Sequence, residues 1–331
     1  MNRWRSAAAL VALGTVAACA DTAAPTGREP NFVNIQRAAD AGVPVYADAK
    51  ENKVEPSEVQ DANKFNITLR FASTISDAHR AVFEEAAARW EKLISHDVPS
   101  STGKFKAGYC FAGMPAFEGT IDDIMIDVQV RTIDGPGKIL GAAGPCLARS
   151  SDLLTSYGIM YFDVDDLAYL DSKGMFDETI VHEMGHILGI GTLWNFGRTL
   201  RTPAPDYRFT GKFANLQFEE VGGTELVPIE DKYGSGTRGA HWREAAFDNE
   251  LMTGFLNTSR ANPLSRITVG SLRDLGYRTN MSGEEYTFPG AATTAAIAGS
   301  ATGSANVEDI NIAEAELLHE LLAIIVPDPQ L

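Results

Sequence analysis

Residues 180–189 read IVHEMGHILG, a stretch that sets two histidines and a glutamate among apolar residues. His182 and His186 are four residues apart, a spacing that places both imidazoles on one face of a helix, one turn apart. Two neutral imidazoles so placed can ligate one zinc ion. In this stretch all side chains other than His182, Glu183 and His186 are apolar, which predicts a buried helix. Three polar side chains buried there need partners, and a metal would supply them. The alternative is a pair of surface histidines on an ordinary helix.

The local sequence also predicts the limits of this helix and a role for its glutamate. We predict a helix over residues 178–188, with Asp177 as its N-cap and Gly189 ending it in a left-handed conformation. Glu183 follows the first histidine and would project beside the metal rather than onto it. A carboxylate in that position can accept a proton from zinc-bound water, so Glu183 is the predicted catalytic residue.

A catalytic zinc needs a third protein ligand and one open coordination position. The chain has six histidines, and three of the other four, His79, His96 and His319, are interpreted as surface residues. His241 differs because it lies in a loop, in the sequence Gly-Ala-His-Trp at 239–242, far beyond the motif. We predict that His241 is the third ligand of a single Zn²⁺.

Residues 182–189 resemble the metzincin signature HExxHxxG. The usual short form of that signature has a third histidine three residues after the glycine, where this chain has Thr192. Leishmanolysin-like peptidases carry a long insertion before the third histidine, and this chain is similar to them. Residues 249–254 (NELMTG) resemble the family's methionine turn, and residues 265–277 resemble the helix that closes the domain. The resemblance covers about residues 65–280.

The resemblance assigns Met252 as a structural floor beneath the metal rather than as a ligand. The alternative is that this methionine is ordinary core filler. Leishmanolysin itself is cysteine-rich, whereas this chain has three cysteines and keeps at most one disulfide. In this respect the chain departs from the family.

The fold class that the resemblance implies is α+β. It is a metzincin-like zinc protease domain, with a small twisted mixed sheet, a long N-terminal helix and the HExxH helix. An irregular lower subdomain follows, with the methionine turn and a C-terminal helix. The implied activity is that of a zinc metalloendopeptidase, which hydrolyses internal peptide bonds of extracellular or envelope proteins through zinc-bound water activated by Glu183. The alternatives are a non-catalytic zinc-containing surface or adhesion protein of the same fold, and a zinc hydrolase acting on something other than peptide.

Hydrophobic periodicity predicts the surrounding elements. Alternation or continuous apolar runs predict strands over residues 65–71, 121–130 and 158–163. Helical spacing predicts helices over residues 78–94 and 265–275. Glycine and proline content predicts a loop at 135–144 and a long ordered loop at 192–238.

The N-terminus reads as an export signal rather than as part of the fold. Residues 1–18 combine two arginines with a short apolar run that ends at Cys19, and Val-Ala-Ala-Cys at 16–19 looks like a bacterial lipobox. We therefore expect lipidation of Cys19, a membrane anchor and a cell-envelope location, on the outer membrane or the cell surface. The alternative is a soluble export signal with Cys19 incidental. The remaining boundaries are a flexible linker at 19–63, the metallopeptidase domain at 64–280, and a low-complexity tail at 281–331 with a short amphipathic helix at 307–326.

Charge and cysteine content limit the partners. The formal net charge of −16 argues against nucleic acid, because phosphate binding requires a basic face. We expect a monomer whose partner is a protein or peptide substrate. Once Cys19 is set aside, Cys110 and Cys146 remain, and in an exported protein this pair favours a disulfide. Two buried thiols are the alternative.

Overall fold

The computed structural model describes residues 63–109, 113–133, 135–136, 140–234, 236–292, 310–311 and 325–326. The predicted signal peptide, Cys19, the linker up to residue 62, Cys110, His319 and most of the tail lie outside these residues. Among the helices of the described residues, none is long and apolar enough to cross a membrane.

The described residues form six α-helices and nine strands. The helices are α1 Asp77–Glu91, α2 Val164–Lys173, α3 Phe176–Leu188, α4 Lys212–Glu220, α5 Glu244–Phe247 and α6 Arg266–Leu275. The strands are β1 Ile67–Phe71, β2 Ser101–Phe105, β3 Phe117–Ile121, β4 Ile124–Arg131, β5 Gly141–Arg149, β6 Thr155–Asp163, β7 Phe255–Leu256, β8 Ile310–Asn311 and β9 Ile325–Val326. A short 3₁₀ helix covers Pro289–Ala292.

The central sheet has five strands in the order β1-β4-β6-β5-β9. Strands β1, β4 and β6 are parallel, β5 is antiparallel to β6, and β9 is parallel to β5. Two small antiparallel pairs, β2–β3 and β7–β8, lie outside this sheet. The fold is therefore mixed α+β with a small mixed sheet, as predicted.

Two predicted elements of the sheet region are wrong in detail. The run predicted as one strand at 121–130 is broken between β3 and β4, because Asp123 has a positive φ of 51° that no strand accommodates. The predicted glycine-rich loop at 135–144 ends early, because residues from Gly141 onward form β5 and are buried there. Glycine at position 141 lets the strand lie close to the Phe162 ring, because a Cβ there would lie 2.8 Å from that ring.

Two further predictions fail outside the sheet. The long loop predicted at 192–238 contains helix α4, which packs against α6 and buries Ala214 and Phe218. In the predicted tail helix at 307–326, the described residues Ile310–Asn311 and Ile325–Val326 pair as strands instead. Both elements depend on contacts with distant residues, which local periodicity does not record.

The main core lies between the sheet and helices α1 and α3. The apolar face of α1 is buried through Phe83, Ala86 and Trp90. The Trp90 indole donates a hydrogen bond from Nε1 to the carbonyl of Val181 on α3 at 2.9 Å. Burying a side chain such as Phe83 stabilises the fold by about 1.5–3 kcal/mol relative to exposure, so the packing of α1 helps to hold α3 against the sheet. A second cluster on the opposite face includes Phe105 from the β2–β3 hairpin.

Candidate metal centre

Helix α3 carries the HEMGH motif, and its side chains from Thr179 to Leu188 are all buried. The predicted N-cap is wrong, because the N-cap position is Met175. Asp177 lies within the first turn, where its negative charge interacts favourably with the positive end of the helix dipole. Gly189 is the C-cap, with φ +110°, a conformation that favours glycine. The helix therefore begins two residues earlier than predicted and ends at Leu188.

An ion-pair cluster anchors the first turn of α3. Arg89 on α1 contacts the Glu178 carboxylate at 3.0 Å and the Glu284 carboxylate at 2.6 Å. Burial raises the pKa of the Glu178 carboxyl, and the Arg89 guanidinium opposes that shift. The chain after Glu284 also packs against the rest of the domain. The Tyr286 hydroxyl donates to the Phe247 carbonyl at 2.6 Å, and the Phe288 ring is buried.

The structure brings His182, His186 and His241 together with all three side chains buried. The Nε2 atom of His182 lies 2.9 Å from Nε2 of His186 and 3.2 Å from Nε2 of His241. The histidine that the sequence places far downstream thus returns to the face of α3 that carries the other two.

Each imidazole is oriented by a backbone carbonyl at its outer nitrogen. The Nδ1 atoms of His182, His186 and His241 contact the carbonyl oxygens of Leu251, Ile190 and Thr237 at 2.7, 2.8 and 3.0 Å. A carbonyl oxygen only accepts, so Nδ1 is the protonated nitrogen of each neutral ring. The three Nε2 lone pairs then point toward one another.

This donor set fits a zinc ion. Neutral imidazole nitrogens are preferred zinc ligands, and a hydrogen bond from the other ring nitrogen to a carbonyl is the usual way their orientation is held. Three acceptor nitrogens facing one another would repel in the absence of a cation. Glu183 is also fully buried, one residue beyond His182 and so about 100° further round the helix.

Met252 packs against the backbone of α3 at Gly185, one residue before His186. A Cβ built at Gly185 would lie 2.7 Å from the Met252 sulfur and 3.1 Å from Cζ2 of Trp90. Met252 is fully buried. The glycine within the motif therefore permits the close approach of the methionine, a relation that the spacing of the motif does not reveal.

The approach of the His241 loop depends on a glycine that sequence reasoning missed. Gly191 has φ +77°, and a Cβ there would overlap the carbonyl oxygen of Ala240. Further hydrogen bonds hold the loop: Trp242 N–H donates to the Met252 carbonyl at 2.9 Å, and Glu230 N–H donates to the His241 carbonyl at 2.9 Å. The signal available in the sequence was a second glycine just after the helix-ending one.

The remaining predicted positions lie apart from this centre. His79 is half-buried beside Asp171 at 3.0 Å, and His96 is exposed. Cys146 is buried and disulfide-bonded. Because Cys110 lies outside the described residues, the pairing of Cys110 with Cys146 stays a prediction.

Comparison with known families matches residues 213–308 to leishmanolysin, peptidase family M8. The match covers less than a third of the chain; it includes His241 and Met252 and begins after the HEMGH helix. No curated protein matches the chain in a direct comparison. The family match confirms the predicted resemblance to leishmanolysin-like metallopeptidases, which are zinc-dependent proteases.

Proposed function

We propose that this protein is a zinc-dependent endopeptidase whose single catalytic Zn²⁺ is held by His182, His186 and His241. The observation that carries the proposal is the convergence of three buried Nε2 atoms, each on a ring whose Nδ1 is held by a backbone carbonyl. Structural zinc sites are closed by four protein ligands, whereas catalytic ones keep a position open. Within the described residues, the cluster has three members, which favours catalysis over a purely structural zinc.

The proposed reaction is hydrolysis of an internal peptide bond. Zinc, when bound, polarises the scissile carbonyl and lowers the pKa of a coordinated water to about 7. The Glu183 carboxylate accepts a proton as the water oxygen bonds to the carbonyl carbon, and it delivers that proton to the nitrogen as the C–N bond breaks. The Nδ1 hydrogen bonds fix the tautomer and the orientation of the three rings. Met252 supports the helix backbone from below.

We propose that the substrate binds in an extended conformation along β5, by strand addition to the sheet. Support comes from the position of β5, which is the outermost of the long strands and packs against α3. The end of β5 at Ala148–Arg149 is already paired with β9. We therefore place the substrate against residues 141–147, which are buried in the structure, so this edge must open before a substrate strand can pair with it.

The cellular setting is proposed from the sequence alone. The lipobox-like sequence at 16–19 supports export, lipidation of Cys19 and a location in the cell envelope. The proposed substrates are therefore proteins or peptides of the envelope or the surroundings of the cell.

Replacing the proposed base tests the mechanism. Glu183→Ala and Glu183→Gln should retain about one zinc per chain and lose cleavage of a denatured protein substrate by about 10²–10⁴-fold, the usual contribution of a general base. Zinc content by mass spectrometry and initial rates, with and without a chelator, are the measurements. Glu178→Gln is the matched control, because it removes a partly buried carboxylate of the same helix that lies away from the histidines in an ion pair with Arg89, and it should leave kcat within a few-fold.

Three results would count against the proposal. Undiminished cleavage by Glu183→Ala would remove Glu183 from the role of base. Cleavage that survives complete removal of zinc would reject a zinc peptidase. A zinc-loaded wild type that cleaves nothing in a peptide library would instead favour the non-catalytic surface protein or a hydrolase of another substrate class.

A further inference from the structure

Glu250 is a buried carboxylate that connects its own turn, at residues 250–253, to the start of helix α6. Its side chain is fully buried. One carboxylate oxygen, Oε2, accepts from the Met252 N–H at 2.6 Å. The other, Oε1, accepts from the Ser265 N–H at 3.0 Å and from the Thr268 hydroxyl. Ser265 is the N-cap of α6, so the negative charge also faces the positive end of that helix.

The same hydrogen bonds extend to His241. The Thr268 hydroxyl donates to Glu250 and accepts from the Trp242 indole N–H at 2.7 Å, which a hydroxyl can do at once. The backbone N–H of Trp242 donates to the carbonyl of Met252 at 2.9 Å. Trp242 is fully buried and follows His241 directly. The two residues to which it donates, Thr268 and Met252, both donate to Glu250.

A second connection extends to His182. The carbonyl of Leu251 accepts from Nδ1 of His182 at 2.7 Å, and Leu251 lies between Glu250 and Met252. The position of that carbonyl depends on the turn at residues 250–253, whose shape the hydrogen bond from Met252 N–H to Glu250 maintains. One carboxylate thus holds the turn whose carbonyl orients His182, and it also holds the two residues to which Trp242, the neighbour of His241, donates.

We propose that Glu250 is a positioning residue for the metal centre: its buried carboxylate fixes the turn at 250–253 against helix α6 and thereby sets the positions of His182 and His241. This inference rests on the proposed zinc site. Residues that orient metal ligands in this indirect way typically change metal affinity or activity by about 10–100-fold when replaced. A carboxylate with a purely structural role would instead change stability and leave the metal affinity as it was.

The test compares Glu250→Gln with Asp123→Asn in the full chain. Asp123 is also fully buried, and its carboxylate accepts two backbone N–H groups, from Asn66 and Val98, at 2.8 and 2.7 Å. Both variants replace a buried carboxylate by an amide of the same shape, but only Glu250 connects to the histidines. Zinc affinity is measured by competition with a chelator, and the geometry of the site by the visible absorption spectrum after cobalt substitution.

We expect Glu250→Gln to weaken zinc binding about 10–100-fold and to alter the cobalt spectrum, and Asp123→Asn to leave both unchanged within about twofold. If Glu250→Gln lowers Tm but binds zinc as the wild type does, with the same cobalt spectrum, the positioning role is overturned. A wild type that binds no zinc would overturn the proposed function itself, so the two failures are distinguishable.

A second pair of variants covers the case in which Glu250→Gln does not fold. Thr268→Val keeps the shape of the side chain and removes the hydroxyl that links Glu250 to Trp242, whereas Thr268→Ser restores it. We expect Thr268→Val to weaken zinc binding by about threefold to tenfold and Thr268→Ser to recover it. The effect is smaller than that of Glu250→Gln because the Glu250 carboxylate remains. Equal zinc affinity in all three proteins would contradict the proposal.

Discussion

Two clusters of side chains in the described residues bring potential metal ligands within 4.8 Å of one another, and they differ in how those ligands are directed. In the histidine cluster, all three rings are buried, and each outer nitrogen is held by a carbonyl. The other cluster consists of Asp97, Asp122 and Asp123 and runs from exposed to buried. Proximity is the same in both, so proximity alone does not identify a metal site.

The aspartate cluster uses its oxygens for the fold. Asp123 accepts the backbone N–H groups of Asn66 and Val98, one on each carboxylate oxygen. Asp122 accepts from the Ser100 hydroxyl at 2.7 Å. In the histidine cluster the outer atoms make the structural hydrogen bonds and the inner atoms converge. A metal site therefore needs ligand atoms that make no hydrogen bond to the rest of the fold and that are directed to one point.

The largest expected effect follows from removing one ligand of each cluster. His186→Ala and His241→Ala should each lower zinc affinity by more than about 100-fold, beyond the effect of replacing an indirectly acting residue. Asp97→Asn and Asp122→Asn should leave the zinc content of the chain near that of the wild type. Metal analysis after dialysis against a weak chelator measures both. A loss of zinc in the aspartate variants would show that the aspartate cluster binds the metal.

An intermediate effect is expected from Gly191, which lets the His241 loop approach α3. Gly191→Ala places a Cβ against the Ala240 carbonyl at φ +77° and should destabilise the fold by about 2–5 kcal/mol, from left-handed strain and overpacking together. It should also weaken zinc binding. The control is Gly174→Ala, since Gly174 has φ +63° and nothing within 4 Å of its Cβ position. Its expected cost is the strain alone, about 1–2 kcal/mol.

Denaturant unfolding and zinc competition on these two variants measure the difference. Equal destabilisation in both would mean that the contact with Ala240 has no energetic role. Zinc binding retained in full by a folded Gly191→Ala would separate the loop approach from the metal centre.

The smallest effect concerns the pH dependence of stability. Burial, with a smaller contribution from the nearby Asp97, raises the pKa of the Asp123 carboxyl from its ordinary value of 3.8 to about 7. Between these values the folded state holds a proton that the unfolded state releases, so the free energy of unfolding contributed by this group falls as the pH rises from about 4 to about 7. Asp123→Asn should flatten that part of the curve.

Urea unfolding across this pH range measures the slope, and Asp122→Asn serves as the control because it keeps Asp123 intact. A wild type and an Asp123→Asn variant with parallel curves would show that Asp123 does not titrate in this window.

The predictable parts of the structure were those with local causes. The cap residues Ser76 and Ser265 come directly before α1 and α6, and their hydroxyls accept from the backbone N–H groups of His79 and Thr268 at 3.1 and 3.3 Å. The motif helix was predicted to within two residues at its start. Strand β5 and helix α4 were not predicted, because packing against distant partners stabilises them rather than their own periodicity.

The sequence alone was enough to place His182 and His186 on one face of a helix, with Glu183 beside them, because a period of 3.6 residues brings positions four apart onto the same face. It also indicated His241 and Met252 by their resemblance to a known order of motifs. Only the tertiary structure decided that Nε2 of His241 lies 3.2 Å from Nε2 of His182. That distance depends on backbone hydrogen bonds, on the conformation of Gly191 and on the buried Glu250, all of which join residues far apart in the chain.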